Sequence, residues 1–185
     1  MKFYYQILYF LLIRVSYLNG NSVVKNFENQ ATVVSAYYMF KSKHALTQYE
    51  EWISNFMRMN FQSVIYCDAK SHAKLSHKYP ETNTRKYIVR EIDNLTTSHW
   101  NWDWDFQVDP ENGYHTINLY KVWNEKIFFV ADAIKANYYN TTTFTWVDIG
   151  CFRHPDMVKH FDGFPDSRKF VHDKVSFLLP GGELW

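Results

Sequence analysis

The chain is poor in cysteine: Cys67 and Cys151 are the only two, so no disulfide framework holds it together. It lacks an excess of either charge. Its 20 lysines and arginines stand against 19 aspartates and glutamates, which argues against nucleic acid as a default partner. Internal repeats and low-complexity tracts are absent, which sets aside repeat architectures. No apolar run is long enough to span a bilayer comfortably; the best, residues 3–13, is broken by Gln6 and closed by Arg14. What the chain has in quantity is aromatic side chains, 19% of its residues. They suit a packed interior and leave rings over for a binding surface. A length of 185 residues fits one domain, or one domain and a fragment.

The amino terminus reads as an address. Lys2 precedes the apolar run, and that run has the length of a signal-peptide core. Extension through Leu18 gives a marginal signal anchor with Arg14 inside it; a buried first helix or strand is the other reading. Residues 1–20 are therefore expected to be a signal peptide or anchor that directs the chain into the secretory pathway, to the ER or Golgi lumen. Two glycosylation triplets, at Asn94 and Asn140, agree with that route. Residues 21–30 are polar and read as a linker.

From residue 31 the pattern is strand, helix, strand. Residues 31–38 form a first strand, followed by a loop with Lys41, Lys43 and His44 that either meets phosphates or is simply solvated. Thr47 and Glu50 have capping-box spacing, and Tyr49, Trp52, Ile53, Phe56 and Met57 then share one helical face, read as core. Residues 63–67 form a second strand ending at Asp68, which either lies on the ligand edge or caps the polar helix 69–77. This order predicts a right-handed crossover and a parallel sheet.

Residues 87–92 read as a third strand. Residues 99–106 (HWNWDWDF) alternate strictly and read as a half-exposed strand with one aromatic face. That strand would put Asp103 and Asp105 about 7 Å apart on one face, a poor metal site. Within 114–137, Leu119, Trp123, Ile127, Val130 and Ile134 form a stripe expected to be buried, with Lys126 off it, either solvated or reaching a phosphate.

The chain is organised around residues 143–153, TFTWVDIGCFR. A short apolar strand runs into Asp148 and then Gly150. Ligands of open α/β sheets sit beyond the carboxyl ends of the strands. There a carboxylate holds a cation or a ribose hydroxyl, and a glycine lets the backbone turn tightly; alternatively Asp148 only caps a turn. Cys67 and Cys151, each at a strand's carboxyl end, either pair in an oxidising lumen or are ordinary buried thiols.

Ala36-Tyr37-Tyr38, Lys41-Ser42-Lys43, Trp123-Asn124-Glu125-Lys126 and above all Trp146-Val147-Asp148-Ile149-Gly150-Cys151-Phe152-Arg153 resemble the HtrL/YibB family of glycosyltransferase-like proteins. The resemblance spans residues 31–164. It implies an α/β fold with a Rossmann-like, GT-A-type nucleotide-sugar-binding sheet and flanking helices, occupying residues 31–185 and incomplete at its C-terminal end. The implied activity is transfer of a sugar from a nucleoside diphosphate donor to a carbohydrate or glycoconjugate acceptor. A non-catalytic carbohydrate- or nucleotide-binding remnant of that fold is the alternative. Asp148 takes the place of the first carboxylate of the metal motif, with Mn or Mg as the implied cofactor, and Gly150 stands where the second carboxylate would be. Lys126, Lys41, Lys43 and Asp68 complete the candidate donor site, and His154, His160 and His172 are candidates for a late metal ligand.

Overall fold

A computed structural model describes residues 10–14, 31–41, 44–161, 163–169 and 175–177 of the chain. The elements are β1 (Phe10–Arg14), β2 (Ala31–Tyr37), α1 (Leu46–Met57), β3 (Gln62–Cys67), α2 (Ala69–Lys78), β4 (Arg85–Val89), α3 (Asp103–Val108), α4 (Ile117–Ala136), β5 (Thr143–Val147), α5 (Pro155–His160) and β6 (Val175–Phe177). They build one sheet in the order β4-β3-β2-β5-β1-β6. Strands β4, β3, β2 and β5 are parallel to one another, whereas β1 runs antiparallel between β5 and β6. The parallel core with flanking helices is compatible with a Rossmann-like fold. Strand β1 falls inside the run expected to be a leader. No helix among the described residues is long and apolar enough to cross a membrane.

The parallel strands read as nearly continuous apolar runs because both their faces are covered. Successive side chains leave on opposite sides. Val33, Ile65 and Val147 pack with Ile53, Phe56 and Met57 of α1 and Leu75 of α2. Val34, Val64 and Trp146 pack with Phe129, Val130 and Ala133 of α4. The chain thus builds outward from β2 through β3 to β4 with its helices on one face. It then returns through α4 on the other face and sets β5 on the free side of β2. Helices on opposite faces are what right-handed crossovers require when the direction of building reverses.

Three sequence expectations fail for physical reasons. Residues 99–106 are not a strand: a 3-10 turn, Thr96–His99, is followed by the short helix α3. Trp102 alone of the three tryptophans is buried, its Nε1 donating to the carbonyl of Thr97 at 3.0 Å, while Trp104 is 71% exposed. Asp103 and Asp105 lie in the first turn of α3, where carboxylates are favoured by the helix dipole. The capping box does not form either. Ala45 is the N-cap of α1, so Thr47 is already helical, and Glu50 instead pairs with Lys74 of α2 at 2.7 Å.

The buried stripe of α4 is the third. Its core face is Val122, Glu125, Phe129, Val130 and Ala133, whereas Ile127 is 56% exposed. The inward position taken by Glu125 shifts the phase. Its carboxylate is fully buried and accepts the backbone N–H groups of Thr96 and Thr97, both at 2.9 Å. The Thr97 hydroxyl donates back to the carbonyl of Lys121 at 2.8 Å. Glu125→Gln keeps the volume but turns a donor toward one of those N–H groups. An unsatisfied buried donor costs about 1–3 kcal/mol. Thermal melts should therefore show a midpoint lower by about 2–4 °C for each kcal/mol lost.

Candidate functional site

The reversal of strand order opens a crevice between the carboxyl ends of β2 and β5, the place where open α/β sheets bind ligands. A cavity of about 670 Å³ fills it. Its floor is the end of β5 with Asp148 to Gly150, and residues 36–41, the end of β2 and the loop that follows, form one side. Tyr49 and Trp52 of α1 form a second wall, and Leu119, Trp123 and Lys126 of α4 a third. Glu111 and His115, from the turn before α4, reach in at the rim. Four basic side chains (Lys41, Lys74, Lys126, Arg153) and two carboxylates (Glu111, Asp148) line it; Lys74 is paired with Glu50, which leaves a small cationic excess.

Asp148 and Lys126 meet at the centre. The Lys126 ammonium lies 2.9 Å from Asp148 Oδ1, with side chains 15% and 23% exposed. Trp146 donates its indole N–H to the same oxygen at 2.8 Å, and the ammonium sits 5.4 Å from that ring's centroid. Trp123 and Lys126 are three residues apart and so share a helical face. Lys126 therefore points into the cavity rather than off the packed side of α4.

The glycine's role differs from expectation. Among the described glycines only Gly163 has a positive φ, so Gly150 is not needed for a tight left-handed turn. It lies under the α1 wall instead, where an added Cβ would meet Trp52 Cε3 at 3.4 Å and Tyr49 Cε1 at 3.7 Å. Above it the Arg153 guanidinium stacks on Trp52 at 4.7 Å, and the His44 ring meets Trp52 edge-on at 4.9 Å.

The rim is held by a compact polar cluster. Asp109 starts a Pro-Glu-Asn-Gly turn, its Oδ1 accepting the Glu111 N–H at 2.8 Å. Its Oδ2 takes hydrogen bonds from the Tyr120 hydroxyl and from His115 Nδ1, the latter at 2.6 Å. The other nitrogen of His115 is 3.4 Å from Glu111 Oε2. Lys41 ties the segment after β2 to this turn by donating to the Gly113 carbonyl at 2.9 Å.

Of the expected site residues, Asp148, Gly150, Lys126 and Lys41 line the cavity. Asp68 does not. It is the N-cap of α2, accepting the Ser71 N–H at 2.7 Å, the alternative use left open by its spacing. Lys43 and His172 lie outside the described residues. His154 and His160 flank α5 on its exposed side and do not reach the cavity. Cys67 and Cys151 are free and buried. Burial pushes the Cys67 thiol up to about 12 and that of Cys151 well above its ordinary value, which leaves both inert.

The sequence reading missed the turn 109–115 and took Tyr49 and Trp52 for core alone. The signals were present: a Pro/Asn/Gly turn flanked by Asp and His, and aromatic residues three apart in the first turns of a helix after a strand.

As a cation site the visible donor set is thin. A hard divalent cation seeks about six oxygens. Asp148 offers one carboxylate whose Oδ1 already accepts from Lys126 and Trp146. Among the described residues no group of three His, Cys, Asp or Glu is placed to hold a metal. Comparison of the chain with protein-family models, with curated proteins and with solved structures finds no match.

The rim cluster gives a pH-dependent prediction. Burial opposes ionisation of Asp109, but hydrogen bonds from Tyr120, the Glu111 backbone and His115 outweigh it and hold the carboxyl below the usual carboxylate range. A depressed folded-state value adds stability above the unfolded value near about 4, and that stability is lost as pH falls through the folded value. Asp109→Asn should therefore cost about 1–3 kcal/mol at neutral pH. Urea unfolding curves should show the gap to the unsubstituted chain closing as the pH drops below about 4.

Proposed function

We propose that the chain is the donor-binding part of a glycosyltransferase-like protein of GT-A type, as its resemblance to the HtrL/YibB family implies, and that the crevice receives a nucleoside diphosphate sugar. The supporting observation is the cationic, aromatic-walled cavity at the β2/β5 switch point, with Asp148 and Lys126 at its floor. Each part of such a ligand has a counterpart. The diphosphate is an anion for Lys126, Lys41 and Arg153. The partly buried rings of Tyr49 and Trp123 suit a base or a sugar ring. A volume of about 670 Å³ is within the range of small-molecule sites. The acceptor in this reading is a carbohydrate or glycoconjugate, met at the open mouth of the crevice.

The test uses the full 185-residue chain. Thermal melts are recorded with UDP, GDP and CMP, and with the parent nucleosides. A nucleotide at a hundred times its dissociation constant adds about 2.7 kcal/mol of stability, or about 5–10 °C for a domain of this size. At least one diphosphate should produce such a rise, and the matching nucleoside should not. A cooperative melt that no nucleotide moves would end the donor-site reading.

A further inference from the structure

Lys126 has an unusual station for a lysine. Its long stem crosses from α4 to the end of β5, and its ammonium is held there on two sides. Asp148 Oδ1 accepts a hydrogen bond from it, and the buried Trp146 ring supports it from another side. Among the described residues Asp148 is its only hydrogen-bonding partner, so two of the three ammonium protons have none there. The helix cannot swing away, since the preceding residue, Glu125, is locked under Thr96 and Thr97.

A half-buried ion pair of this kind is a weak source of stability, because withdrawing both charges from water offsets their attraction. Its place on a ligand cavity gives it another use. Asp148 is the strand-end carboxylate at which a divalent cation would be expected, and the cation it holds is Lys126. Of the basic side chains on the cavity, Lys74 is already paired with Glu50, whereas Lys126 stands at the floor beside Asp148.

We propose that Lys126, oriented by Asp148 and Trp146, is the resident cation of the donor site and binds the diphosphate directly, so that donor binding needs no divalent metal. The inference rests on the nucleotide-sugar reading above and can fail separately from it. Asp148 is then a positioning residue that aims the lysine, and the Trp146 indole N–H fixes the carboxylate in turn.

Isothermal titration of the full chain with UDP and GDP, once in EDTA and once in manganese, decides the matter. A diphosphate should bind in EDTA, with an affinity that manganese changes by less than about three-fold. Lys126→Met should weaken binding about ten- to a hundred-fold in both buffers, the value of a charge-assisted hydrogen bond. Lys126→Arg should recover most of that loss, because the charge is restored. Thermal melts of each variant show whether it is folded, and if Lys126→Met is not, the unsubstituted chain and Lys126→Arg carry the comparison. Binding that appears only with manganese, or that survives unchanged in a folded Lys126→Met, would overturn the inference while leaving the nucleotide site standing. Absence of any diphosphate binding by the folded chain, in either buffer, would remove both.

Discussion

A buried carboxylate fixes the position of α4, and the crevice depends on that position. Glu125 is fully buried and accepts two backbone N–H groups from the turn at Thr96–Thr97. Moving the helix along its axis or rotating it would strand a buried charge, a loss far larger than that of any apolar contact it makes. The next residue along is Lys126, which leaves the helix about 100° away and emerges over the end of β5. One residue sets the phase of the helix and its neighbour uses that phase. The short run Trp123-Asn124-Glu125-Lys126 thus serves two surfaces: Trp123 and Lys126 line the cavity, Glu125 anchors the turn, and Asn124 donates to the Tyr120 carbonyl at 2.9 Å.

The local elements of the parallel core were largely legible in the sequence, and so were the residues at the floor of the site. β2, β3 and β5 are short apolar runs rich in β-branched and aromatic residues, and each lies within a residue or two of where pattern alone puts it. Asp148 follows directly from the end of such a run. The order of the strands was not legible, because nothing local to β5 says that it docks beside β2 rather than beyond β4. That order creates the crevice.

The failures share a cause. Sequence patterns assign apolar residues to the interior and charged ones to water, and α4 breaks the rule at Glu125 and Ile127 together. The tryptophans of residues 100–104 break it too. Their spacing has the period of a strand, but a strand needs a partner edge, and here the backbone bonds locally into a 3-10 turn and a short helix. Thr47 and Glu50 had the right types at the right spacing for a cap. The lysine on α2 was a stronger partner for Glu50 than the helix N-terminus, and a contact across helices is invisible to a local rule.

The abundance of aromatic residues resolves into two populations with different physics. Phe129 stacks between Tyr66 and Trp146, at 4.5 and 6.1 Å, and such rings have both faces covered and only fill space. Trp123 is different. It is only partly buried, is braced by His115 and Tyr120, and lines the cavity. A ring held in one orientation before a ligand arrives loses little entropy when the ligand arrives. Tyr49 of α1, also partly buried, lines the same cavity, and the charges at its floor are already oriented by the Lys126–Asp148 pair.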